Sequence, residues 1–199
     1  MAKALKPGHP LVFTFHHNDI KAYLPVAVAI LDAGLTCSAS LPCPAEMGAS
    51  IHISGTGSSI IDTVFVCRST GFVPRQWLTE TPSGVARIVE ADLAKLRCGY
   101  VKPTQGDIRC ITYGHLIRLA IWSLRKVWNK NRKTEARISR LERWIQEFGG
   151  WPEVVKNLNG AKPVNNRVSA TERQSALRKL KASTRPLILL SRANLTHRR

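Results

Sequence analysis

The 199-residue sequence predicts an α/β fold followed by a basic α-helical appendage, and three observations lead there. Short β-branched and aromatic runs, punctuated by Pro and Gly, alternate with a helical apolar pattern in residues 1–70. Beyond Arg68 the readable segments are helical. The charge is also split: residues 1–70 carry four basic and four acidic side chains, residues 71–115 six and four, and residues 116–199 twenty and five. The last 84 residues therefore hold +15 of the total +17. At 44% hydrophobic the chain can bury a core, and its length fits one domain plus an appendage.

Taken in order, Leu11-Val12-Phe13-Thr14-Phe15 reads as a buried strand, bounded upstream by Pro7-Gly8 and Pro10. Asn18 or Asp19 caps a helix whose apolar residues Ile20, Tyr23, Leu24, Ala27, Ile30 and Leu31 recur at spacings of three and four. Gly34 stands where a left-handed C-cap residue belongs. Pro25 removes a hydrogen bond inside that helix, so either the helix kinks or its regular part begins near residue 24. A second strand follows over residues 35–41, then a loop over 42–59 and a third strand over 60–67. Three strands alone leave an unpaired edge, which points to a missing partner. Helices are predicted over residues 85–96 and 115–128. The stripe Ile138, Leu141, Ile145, Phe148 predicts another, ended by Gly149-Gly150 and Trp151-Pro152. Residues 171–181 read as a last basic helix, and the apolar run 186–190 fits no element.

Several classes are excluded. The apolar run 23–31 is far short of the roughly 20 residues of a membrane span. The run 11–15 is too short for a secretory leader. Five cysteines at 37, 43, 67, 98 and 110 form no Cys-x-x-Cys pair. An odd, irregular set fits reduced thiols in a cytoplasmic protein rather than a disulfide frame or a zinc site. The basic block is the footprint of a polyanion partner, nucleic acid first. Arg125, Lys126, Lys130, Arg132 and Lys133 are its densest cluster, and phosphate contact is their best reading. Trp122, Trp128, Trp144 and Trp151 lie among these cations and could stack on bases, although Trp at helical spacing is more often core.

Some motifs carry a family resemblance. Leu5-Lys6-Pro7-Gly8 ahead of Leu11-Val12-Phe13 resembles the signature leading into the fifth strand of class I S-adenosylmethionine-dependent methyltransferases. More narrowly, LVFTFHH (11–17), PAEMGASIHISGTGSS (44–59) and VFVCR (64–68) resemble the C-terminal part of adenine-specific DNA methylases that contain a zinc ribbon. Ala33-Gly34-Leu35 matches that family's turn after the helix, and Gly106-Asp107-Ile108-Arg109 resembles a piece further along. The resemblance covers residues 4–70 well and 80–122 loosely.

It implies a partial class I (Rossmann-like) methyltransferase sheet of strand, helix and antiparallel pair in residues 1–70, a mixed connector over 71–115 and a basic helical tail over 116–199. It further implies methyl transfer from S-adenosylmethionine to adenine in DNA. That family carries a glycine-rich loop, Asp-Pro-Phe-x-Gly-x-Gly, and a catalytic Asp-Pro-Pro-Tyr that holds the flipped adenine. This sequence contains no Asp-Pro at all. The expectation is a C-terminal part that begins mid-domain, is inactive alone and is completed by a companion chain.

The residues present would then shape the substrate side. His16 and His17 end the first strand, at the edge where open α/β sheets bind ligands, and meet base or phosphate or else cap the next helix. Glu46 and His52 flank a Gly-rich loop, and Gly55 and Thr56 within it present backbone N–H groups to a phosphate or form a plain turn. No metal site is supported by spacing. Two other readings stand beside this one: a non-enzymatic basic DNA-binding module, and a decayed remnant without activity.

Overall fold

The computed structural model describes residues 4–6, 9–44, 59–69 and 79–158. Three strands and five helices are formed there: β1 (Pro10–Phe15), α1 (Ile20–Asp32), β2 (Thr36–Pro44), β3 (Ile61–Arg68), α2 (Pro82–Cys98), α3 (Gln105–Leu124), α4 (Thr134–Glu147) and α5 (Gly150–Lys156). No helix among the described residues is long and apolar enough to cross a membrane.

The sheet has the order β1-β3-β2, and β3 runs antiparallel to both neighbours. β1 and β2 consequently point the same way, and α1 supplies the crossover that parallel strands require. The two observed ladders are antiparallel, so the parallel ladders of a Rossmann-like sheet are not found among the described residues. β3 alternates strictly, with Ile61, Thr63, Phe65 and Cys67 buried and Asp62, Val64, Val66 and Arg68 half-buried on the other face. β2 carries a bulge between Cys37 and Ala39, which resets its alternation so that both Cys37 and Ser40 face inward. It runs on through Pro42 to Pro44, where a loop was expected; an edge strand tolerates prolines whose missing N–H would have faced outward.

Local chemistry explains α1. Asp19 is its N-cap and accepts from Lys21 N at 2.9 Å. Pro25 lies inside the helix, on its exposed side, without ending it. Gly34 follows the C-cap at φ +68°, a conformation that suits glycine. Tyr23 at the centre of the buried face meets Phe15 and Tyr113 edge-on, with ring centroids 4.8 and 5.9 Å apart.

α3 is the hub. It packs on β2, β3, α1, α2, α4 and α5, and sixteen of its twenty residues are buried. It starts ten residues before the expected 115, because Thr104 and Asp107 form a capping box. The Asp107 carboxylate, fully buried, also accepts from Ser59 Oγ at 2.8 Å and Ile60 N at 2.7 Å, tying the helix start to the entry of β3. Gly114 lets α3 approach the sheet: a Cβ there would lie 2.4 Å from Ser40 Oγ and 2.7 Å from Thr63 Cγ2. The change of charge at residue 116 is therefore no change of structural unit, since α3 runs through it. Trp151-Pro152 does not simply end the chain of helices, because Pro152 sits in the first turn of the short α5. The expected helix over 171–181 and the run 186–190 lie outside the described residues.

Candidate nucleic-acid interface

The turn between α3 and α4 gathers all five cations of the densest cluster within nine residues that contain no carboxylate. It leaves α3 through Arg125 N to Ile121 O (3.1 Å) and Val127 N to Leu124 O (3.0 Å). Asn129 Oδ1 then accepts from Asn131 N at 3.0 Å, a turn that Asn favours. Lys133 is the N-cap of α4 and makes no side-chain capping bond.

Asp32, the last residue of α1, anchors this turn from two sides. Trp128 Nε1 donates to its Oδ1 at 2.8 Å, and Arg137 Nη1 of α4 donates to its Oδ2. The negative end of the α1 dipole adds to the attraction for nearby cations. Arg125 lies over the Trp122 ring, 3.5 Å from the centroid, and donates to the Trp122 carbonyl. Desolvation against that ring pulls the guanidinium below its ordinary pKa. Lys126, Lys130, Arg132 and Lys133 are exposed, and none pairs with a carboxylate among the described residues.

Two open clefts flank Trp128. One, of about 200 Å³, is lined by Trp128, Arg132, Arg137 and Arg140; the other, of about 600 Å³, by Asp32, Gly34, Arg125, Lys126 and Lys130 among others. Arg137 and Arg140 were not singled out in the sequence. Their spacing from Lys133, four and then three, places all three on one face of α4 and was the available signal. Trp128, Trp144 and Trp151 pack against the core, as Trp at helical spacing usually does, whereas Trp122 serves as a platform for Arg125.

The histidines lie at the other end of α1, a helix of thirteen residues and hence about 20 Å long. His16 Nδ1 bonds the Ile61 carbonyl at 2.9 Å and stands 3.6 Å from Asp62 Oδ1. His17 Nδ1 accepts from Asp19 N at 2.9 Å, so it supports the cap of α1. Both rings are exposed, and their Nε2 atoms carry no hydrogen bond among the described residues. Histidines and basic turn thus form two separate groups. Glu46, His52, Gly55 and Thr56 lie outside the described residues.

A buried polar group escaped the sequence reading altogether. Asp92 of α2 meets His115 Nε2 at 2.9 Å and Lys95 Nζ at 3.2 Å. Burial alone would raise the Asp92 carboxyl, but these two hydrogen bonds bring it below the ordinary value. Arg118, one helical turn beyond His115, is also buried. No three His, Cys, Asp or Glu side chains among the described residues converge to hold a metal ion. No known family, curated protein or solved structure matches the chain.

Proposed function

We propose that the chain binds DNA through the α3–α4 turn and does so as the C-terminal part of an adenine-N6 DNA methyltransferase. The observation that carries the DNA contact is the set of four exposed cations, Lys126, Lys130, Arg132 and Lys133, without carboxylate partners among the described residues. Such cations release counterions when they meet phosphates, and the Trp122–Arg125 stack beside them offers a flat surface. Fluorescence anisotropy with a labelled duplex tests this. The expected log–log slope of affinity against salt is about −4, near −0.9 per phosphate neutralised. Absent or salt-insensitive binding sinks the reading.

The methyltransferase part is favoured by the order of elements, β1, α1, then the antiparallel β2 and β3, with His16 and His17 at the carboxyl end of β1. The outer sheet face supports it too. Val12 and Leu41 are 53% and 48% exposed there, beside half-buried Val64 and Val66, whereas α/β sheets carry helices on both faces. Neither cleft suits S-adenosylmethionine, whose sulfonium and ammonium are cations, because one is lined by Arg132, Arg137 and Arg140 and the other by Arg125, Lys126 and Lys130. With no Asp-Pro-Pro-Tyr in the sequence, methyl transfer belongs to a companion chain in the cytoplasm, and this chain presents the DNA. Isothermal calorimetry is expected to give no tight binding of S-adenosylmethionine by the chain alone. Stoichiometric, tight binding would remove the need for a companion.

A further inference from the structure

Beneath the sheet, away from the basic turn, three buried groups are left without a role in DNA binding. Cys37 of β2 and Cys67 of β3 are direct partners across the antiparallel ladder, and both are fully buried on its core side. Arg118 of α3, 4% exposed, has no acceptor for Nε or Nη2 among the described residues. Cys37 and Asp92 are the groups that act on its charge, and Asp92 already holds His115 and Lys95. A guanidinium does not give up its proton in a protein, and a buried cation demands compensation. The dithiol is the group facing Arg118 that can supply a further negative charge.

We propose that Cys37 and Cys67 are a redox-active dithiol that a hydroperoxide closes to a cross-strand disulfide, with Arg118, which faces Cys37, as the counter-ion of the negative charge on the pair. Residues directly opposite in an antiparallel pair have Cα atoms about 4.5–5.5 Å apart, inside the roughly 4.4–6.8 Å that disulfides span. The pair stands one position in from Thr36 and Arg68 at the end of the ladder, so fraying of that terminal pair admits a small oxidant. Each thiol acts on the other, so that Cys37 is raised well above its ordinary pKa and Cys67 is lowered, and the Cys37 thiol donates to the Ala39 carbonyl at 3.2 Å. Either sulfur of the pair can open the reaction, the lowered Cys67 more readily. Its thiolate attacks one peroxide oxygen, the O–O bond breaks, and the leaving oxygen takes a proton to become water, which leaves a sulfenic acid on Cys67. The Cys37 sulfur then attacks Cys67, the S–O bond breaks, and the hydroxyl departs with the Cys37 proton as a second water. Two thiols are oxidised by two electrons as one hydrogen peroxide is reduced.

The test treats the reduced full-length protein with hydrogen peroxide, denatures it in the presence of the alkylating reagent and maps the peptides without reduction. The expected product is a Cys37–Cys67 linked peptide pair lacking two hydrogens, while the exposed Cys43 and Cys98 stay outside it. The Arg118→Met variant is expected to close about tenfold more slowly, and Arg118→Lys within about twofold of the wild type, since the thiolate fraction sets the rate. A thermal melt shows whether each variant is folded, and the wild-type map stands without them. Recovery of Cys37 and Cys67 as alkylated thiols after peroxide has consumed Cys43 and Cys98 overturns the proposal. Pairing of either with another cysteine, or an unchanged rate in folded Arg118→Met, does the same.

Discussion

The two ends of α3 solve opposite problems with the same kinds of residue. At its start, Asp107 is fully buried and accepts four hydrogen bonds, from Ser59 Oγ, Ile60 N, Thr104 N and Thr104 Oγ1. Nearby, Cys110 donates to the His17 carbonyl at 3.4 Å, which fastens the β1–α1 corner. At its far end Asp32 is the one carboxylate engaged among the described residues, by Trp128 and Arg137, and four cations stand in water. A charge buried at the first end holds the fold together because its partners would otherwise be stranded. Charges at the second end add little to stability, since exposed ions stay hydrated, and they remain free to meet phosphate.

If that contrast is right, variants at the two ends separate stability from DNA affinity. Asp107→Ala should have the largest effect, lowering the unfolding free energy by about 3–5 kcal/mol in urea titrations because it orphans several buried donors. The fraction that remains folded should bind DNA as the wild type does. Replacing Lys126, Lys130, Arg132 and Lys133 together by Ala should do the reverse. DNA affinity should fall about a hundredfold and the salt slope flatten by about 3 to 4, while stability moves by no more than about 0.5 kcal/mol. A large loss of stability there would show that the turn is structural.

Gly114→Ala probes the middle of α3. The added Cβ meets Ser40 and Thr63, so about 1–2 kcal/mol of stability should be lost despite alanine's better helix propensity. The smallest effect expected is on pH dependence. The Asp92 carboxyl is held below its ordinary value in the fold, so the unfolded chain takes up a proton there first. Its contribution is intact above about pH 4 and is lost as the pH falls through and below that range. His115→Gln should shrink this acid-side loss, as followed by thermal melts between pH 3 and 6.

The legible parts of the sequence were those governed by near neighbours. β1, α1 and β3 announced themselves through apolar runs and helical spacing, although β1, expected to be buried, is an edge strand whose inward face is only half-buried, and Asp19 and Gly34 mark the ends of α1 by local hydrogen bonding and backbone conformation. The first half of α3 was not legible for the converse reason. Buried on nearly every side, it shows no amphipathic stripe, and its Gly106, Asp107, Gly114 and His115 look like loop chemistry until their partners are in place. In the candidate interface, the cluster from Arg125 to Lys133 could be read from charge density alone. Its anchor, Asp32, could not, since it lies 96 residues from Trp128 and 105 from Arg137.

The sequence by itself determined the strands, the caps of α1 and the crowding of positive charge after residue 116, because each depends on the residue type and its immediate spacing. Only the tertiary structure decided that the histidines and the basic turn lie at opposite ends of α1, and that Cys37 faces Cys67 beside a buried Arg118. Those meetings arise when α3 settles on the sheet, and packing between distant segments leaves no periodic mark in any one of them.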